Sequence, residues 1–77
     1  MKSEKRLPAS KPKEVIKALQ RAGFILKRQT GSHAILFKTG LSHPVTVPMH
    51  TADIPVGTLR AIIRQSNLTV DEFITLL

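Results

Sequence analysis

Side chains suited to proton transfer and to phosphate binding crowd into one short stretch of this chain. Thr30-Gly31-Ser32-His33 follows the basic run Ile25-Leu26-Lys27-Arg28-Gln29 and precedes the apolar run Ala34-Ile35-Leu36-Phe37. Gly31-Ser32 has the composition of a two-residue hairpin reversal, with Gly31 expected at a positive φ. His33 then opens the second strand, at the rim of a sheet and beside Lys27 and Arg28. Imidazole changes charge near neutral pH, so a histidine held on rigid backbone in a positive field is a candidate general base.

The reaction that one histidine and many cations can carry is RNA cleavage. The 2′-hydroxyl of RNA is an internal nucleophile, already next to the phosphate it attacks. A base must take its proton, and fixed positive charge must meet the charge growing on the phosphate oxygens. His33 fits the first role, and Lys27, Arg28, Lys38, Arg60 and Arg64 are candidates for the second, with Ser32 and His50 beside them as RNA contacts. No metal and no cofactor is needed. A single histidine does not serve efficiently as both base and acid, so a slow enzyme is expected. DNA lacks the 2′-hydroxyl and should resist, and no direct DNA binding is expected.

Strand parity argues against a catalytic His33. It alternates with Ile35 and Phe37, which look like core residues, so parity predicts a partly buried imidazole favoured in its neutral form. His43, before Pro44, reads as an exposed loop residue. The three histidines lack the close pairing of a zinc site. Ser32, His50 and Asp53 could be written as a triad, but Ser32 has no nucleophile-elbow context.

Composition narrows the partners. Twelve Lys and Arg against five Asp and Glu give the 77-residue chain a net charge of +7. On so small a body that favours a polyanion, most simply nucleic acid, although an acidic protein would meet the same field. There is no Trp or Tyr and there are three Phe, so an aromatic base-stacking platform is not expected. Absence of cysteine leaves neither disulfide nor thiolate metal site. No apolar run approaches the roughly 18 residues of a membrane span, and the basic start is not followed by a signal-peptide core. A cytoplasmic protein is expected, with no membrane partner.

The elements that must position these groups are few. Residues 1–10 read as a flexible basic extension and residues 11–77 as one domain. Pro12 opens a first helix over Pro12–Ala22, with Val15, Ile16 and Leu19 on one face and Gly23 as its terminator. Strands are expected over Phe24–Thr30, His33–Thr39 and Val45–Val47. Pro55 opens a second helix, with Leu59, Ile62 and Ile63 buried, Arg60 and Arg64 sharing a face, and Asn67 closing it. Thr69 and Glu72 form a capping box for a last short helix. The order α-β-β-β-α-α predicts an α+β fold, double-stranded-RNA-binding-domain-like, with a three-stranded antiparallel sheet covered on one face by helices. Fold alone does not assign function. A non-catalytic RNA-binding module is the alternative, although such modules place lysines where this chain has Pro55-Val56-Gly57-Thr58.

Arg28-Gln29-Thr30-Gly31-Ser32-His33, Val45-Thr46-Val47-Pro48-Met49-His50 and Ile54-Pro55-Val56-Gly57-Thr58-Leu59-Arg60 together resemble the HicA toxin family, in order and spacing, over about Lys11–Leu77. The resemblance implies a ribosome-independent mRNA interferase, an endoribonuclease toxin of a type II toxin–antitoxin pair. It also implies a HicB-type antitoxin that masks the catalytic histidine, whose position falls on His33. His50 matches a family position whose role is open between substrate contact and structure. The extension before Lys11 is longer than the family's, and Val56 stands where a polar residue is common.

Overall fold

The computed structural model describes residues 6–50 and 52–77. Its elements are α1 (Pro12–Arg21), β1 (Ile25–Gln29), β2 (His33–Phe37), β3 (Val45–Pro48), α2 (Val56–Gln65) and α3 (Val70–Leu76). The strands form one antiparallel sheet in the order β1-β2-β3. The architecture is the α+β, double-stranded-RNA-binding-domain-like arrangement that the element order predicts. Among the described residues no helix is long and apolar enough to cross a membrane.

Each helix begins and ends where its sequence says it should. Pro12 occupies the first turn of α1, and the Lys11 N–H donates to the Glu14 carboxylate at 2.9 Å. α1 and α2 stop the same way. Gly23 (φ +102°) and Asn67 (φ +65°) take the left-handed conformation. The next residue then folds back, Phe24 N–H to the Leu19 carbonyl and Leu68 N–H to the Ile63 carbonyl. This satisfies carbonyls that a helix end otherwise orphans. α3 carries the full capping box, with Thr69 N–H on the Glu72 carboxylate at 2.8 Å and Glu72 N–H on the Thr69 hydroxyl at 3.0 Å.

α1 and α2 pack on one face of the sheet, and α3 packs against both helices. The core between these layers holds Val15, Ala18 and Leu19 of α1, Ala34 and Leu36 of β2, Val45 and Val47 of β3, Leu59, Ile62 and Ile63 of α2, and Phe73 of α3. The Arg21 guanidinium donates to the Leu76 carbonyl at 2.6 Å and fastens the end of α1 to the end of α3.

Two expectations about β2 are overturned. Ala34 and Leu36 are the residues that face the helices, both fully buried, whereas Phe37 is 40% exposed and Ile35 half-buried. His33 shares the parity of Ile35 and Phe37, so it lies on the uncovered face and is exposed, not partly buried. Gly31 does not take a positive φ; the glycines that do are Gly23 and Gly40. The Thr30 side chain performs the reversal instead, as the site geometry shows.

Of the expected basic extension, residues 1–5 lie outside the described residues. Further along it, Leu7 packs against the core. Ser10 is 1% exposed, its carbonyl accepts the Ile54 N–H at 2.9 Å, and its hydroxyl donates to the Pro8 carbonyl. The packed body therefore includes residues ahead of Lys11.

Candidate active site

The hairpin that presents His33 is closed by side chain and backbone together. Thr30 N–H donates to the His33 carbonyl at 2.8 Å. The Thr30 hydroxyl oxygen accepts the N–H groups of Ser32 at 3.2 Å and His33 at 3.0 Å. A threonine hydroxyl that takes two backbone donors substitutes for the left-handed glycine such turns otherwise need. Replacing Thr30 by valine is expected to cost about 1 kcal/mol, read as a fall of roughly 4–8 °C in Tm, and Thr30→Ser should keep the parental melt.

β2 is the central strand, so His33 is flanked on both sides. Its partner on β3 is Pro48. On β1 the register breaks between Leu26 and Arg28, a bulge with Lys27 as the unmatched residue. Directly paired residues in an antiparallel sheet share a face. The bulge therefore places Arg28, opposite Ile35, on the same uncovered face as His33, one rung along. Strict alternation from Ile25 would have placed Lys27 there. Ile25, 61% exposed and paired with Phe37, occupies the far end of the same face.

Beyond Pro48 the chain stays tied to the hairpin. Met49 N–H donates to the Ser32 carbonyl at 2.7 Å. His50 follows at once, and its ring stands edge-to-face with that of His33, centroids 6.4 Å apart and planes at 67°. Both residues are exposed. His50 also lines an open groove with Pro48, Ala52, Pro55 and Thr58. The groove reaches the start of α2, whose N-cap is Pro55, with no side-chain cap and no acidic residue in the first turn.

The other cationic candidates lie elsewhere. Lys38 sits past the opposite end of β2, and its ammonium lies 5.6 Å from the centre of the Phe24 ring. Arg60 and Arg64 do share a face, but they line a cleft with Leu68, Thr69 and Val70 between α2 and α3, on the helical side of the sheet. The arrangement therefore brings together His33, Ser32, His50 and Arg28, and leaves Lys38, Arg60 and Arg64 apart from them. Sequence reasoning missed the His33–His50 pairing. Counting rungs back from the Gly40–Pro44 loop would have found it, because the end of β3 must return beside the start of β2.

A family model described as the HicA toxin of bacterial toxin–antitoxin matches residues 12–68, a span that takes in both histidines and every cationic candidate. No match is found among curated proteins.

Proposed function

The chain belongs to the HicA toxin family of bacterial toxin–antitoxin systems, and from that premise we propose that it is a metal-independent endoribonuclease acting on mRNA. As a member it is the toxin of such a pair and has an antitoxin as its partner. The observation that carries the RNA-cleaving reading is the placement of His33. It is exposed at the head of the central strand, its backbone is held on both sides, and Arg28 shares its face. His33 takes the proton of the 2′-hydroxyl, the 2′-oxygen attacks phosphorus, and the chain breaks to leave a 2′,3′-cyclic phosphate and a 5′-hydroxyl. Arg28, on the same face, supplies positive charge to the phosphate oxygens, Lys27 at the bulge beside it contacts a flanking phosphate, and Ser32 and His50 contact the RNA from the turn and the loop. The more distant Lys38, Arg60 and Arg64 contact flanking phosphates.

The catalytic unit is residues 11–77, anchored at its start by Ser10. A HicB-type antitoxin inhibits by covering His33 and the adjoining uncovered sheet face, where Ile25 and Phe37 offer apolar surface. A non-catalytic duplex-binding role has less support, since no lysine or arginine stands in the first turn of α2.

The test is incubation of the purified protein with a long message in excess chelator, followed by end analysis. Cleavage that leaves cyclic phosphate ends, and that stops when the scissile nucleotide is 2′-deoxy, is expected. Binding of RNA without any cutting would replace the enzyme reading with the duplex-binding one.

A further inference from the structure

We propose that His50 is the general acid of this site, delivering a proton to the 5′-oxygen as it leaves, across the phosphate from His33 as base. The inference rests on the RNA-cleavage reading above and names the group that reading leaves open.

The chemistry calls for a second proton-transfer group. Attack by the 2′-oxygen drives negative charge onto the 5′-oxygen on the opposite side of phosphorus. The group that has just removed a proton on one side is not placed to give one on the other. A catalytic proton donor must come within roughly 2.6–3.2 Å of its acceptor. With their centroids 6.4 Å apart, the two exposed rings are close enough for one phosphodiester laid across their edges to meet both, the 2′-oxygen at His33 and the 5′-oxygen at His50.

This juxtaposition is built by the backbone. The residue before His50 donates its N–H to the carbonyl of the residue before His33, Met49 to Ser32 at 2.7 Å. Pro48 pairs directly with His33. At its other end the loop is fixed by Ile54 N–H on the Ser10 carbonyl. Both rings are exposed, so substrate reaches them without a rearrangement of the core. Among the described residues, those that share the groove with His50 are Pro48, Ala52, Pro55 and Thr58, none of which titrates near neutral pH. Arginine and lysine hold their protons too tightly for this role at their ordinary pKa values.

In full, the His33 imidazole accepts the 2′-hydroxyl proton as the 2′-oxygen–phosphorus bond forms. The phosphorus–5′-oxygen bond breaks, and the His50 imidazolium gives its proton to the departing oxygen. One ring has gained a proton and the other has lost one, so exchange with water restores the pair. No oxidant, reductant or metal enters.

The experiment compares two oligoribonucleotides at a link the parent cuts, one ordinary and one with sulfur in place of the bridging 5′-oxygen. A thiolate leaves without protonation, so loss of a general acid matters for the first substrate and not for the second. At saturating oligonucleotide, so that a lost RNA contact does not enter, His50→Ala, with His50→Gln beside it, should cut the ordinary link about 10²–10⁴-fold more slowly than the parent, while the slowing on the sulfur link should be far smaller. His33→Ala should be slow on both. Equal slowing of the His50 variants on both substrates, or parental cutting of the ordinary link, overturns the assignment while leaving the RNA-cleavage reading intact. A parent that cuts neither substrate overturns that reading and this inference together.

Discussion

Substitution of His33 by alanine is expected to slow RNA cleavage by about 10²–10⁴-fold, the usual contribution of a positioned general base, with the thermal melt unchanged. The two halves of that result are separable because of where the side chain lies. His33 is exposed on the uncovered sheet face, and substitutions at such positions ordinarily move stability within about 0.5 kcal/mol. Its backbone role is untouched by the change. The N–H still reaches the Thr30 hydroxyl and the carbonyl still accepts the Thr30 N–H. A cleavage time course with matched melting curves checks both halves. A variant that cuts at the parental rate would mean that the base is another group, and a variant that melts early would mean that the imidazole is structural after all.

The largest effect on stability is expected from Phe73→Ala, a loss of about 3–5 kcal/mol for emptying a fully buried phenyl ring. A chain of this length has only about 4–12 kcal/mol to lose. Phe73 is fully buried, and it is the buried residue of α3. A helix of 7 residues is far too short to persist alone. Its capping box and the Arg21–Leu76 hydrogen bond hold its two ends, while the phenyl ring fills the space where α3 meets the core. Without that ring the last helix is expected to detach and the midpoint of urea unfolding to fall sharply. Leu77→Ala, at a residue 40% exposed, is the matched control and should move the midpoint little. An unfolding midpoint for Phe73→Ala close to that of the control would show that α3 does not hold the core closed.

How much of this was readable in advance depends on how local each feature is. The helices were legible, because Pro12, Gly23, Pro55, Asn67 and the Thr69–Glu72 pair act on backbone within a turn of themselves. The buried stripes of α1 and α2 were legible for the same reason, since the polar residues between them mark the helical period. β2 was not. Ala34-Ile35-Leu36-Phe37 is apolar at every position, so alternation leaves no trace, and residue size pointed to the wrong face: small Ala34 is buried and large Phe37 is not. The turn was read from glycine, although the threonine hydroxyl one residue earlier determines its shape. In the candidate site, the place of His33 at the head of β2 was legible from the turn before it, but its neighbour across the sheet was not. His50 is 17 positions further on, and only the pairing of β2 with β3 closes that gap. Among the cations, sequence proximity favoured Lys27 and Arg28 equally, and the irregular register of β1 is what separates them.

The unmatched Lys27 has a consequence for how this chain tolerates changes in length. It divides β1 into two phases. Ile25 and Leu26 keep step with Phe37 and Leu36, while Arg28 and Gln29 keep step with Ile35 and Ala34. A strand with such a break behaves as a slip joint. Loss of Lys27 would join the two phases into a regular ladder and leave Arg28 facing as it does now. Loss of Gln29, two positions on, would invert the facing of the residues it separates, because side chains alternate at every step. The stretch between α1 and the hairpin is thus free to shorten at one residue, and the half that carries the arginine is insulated from that drift.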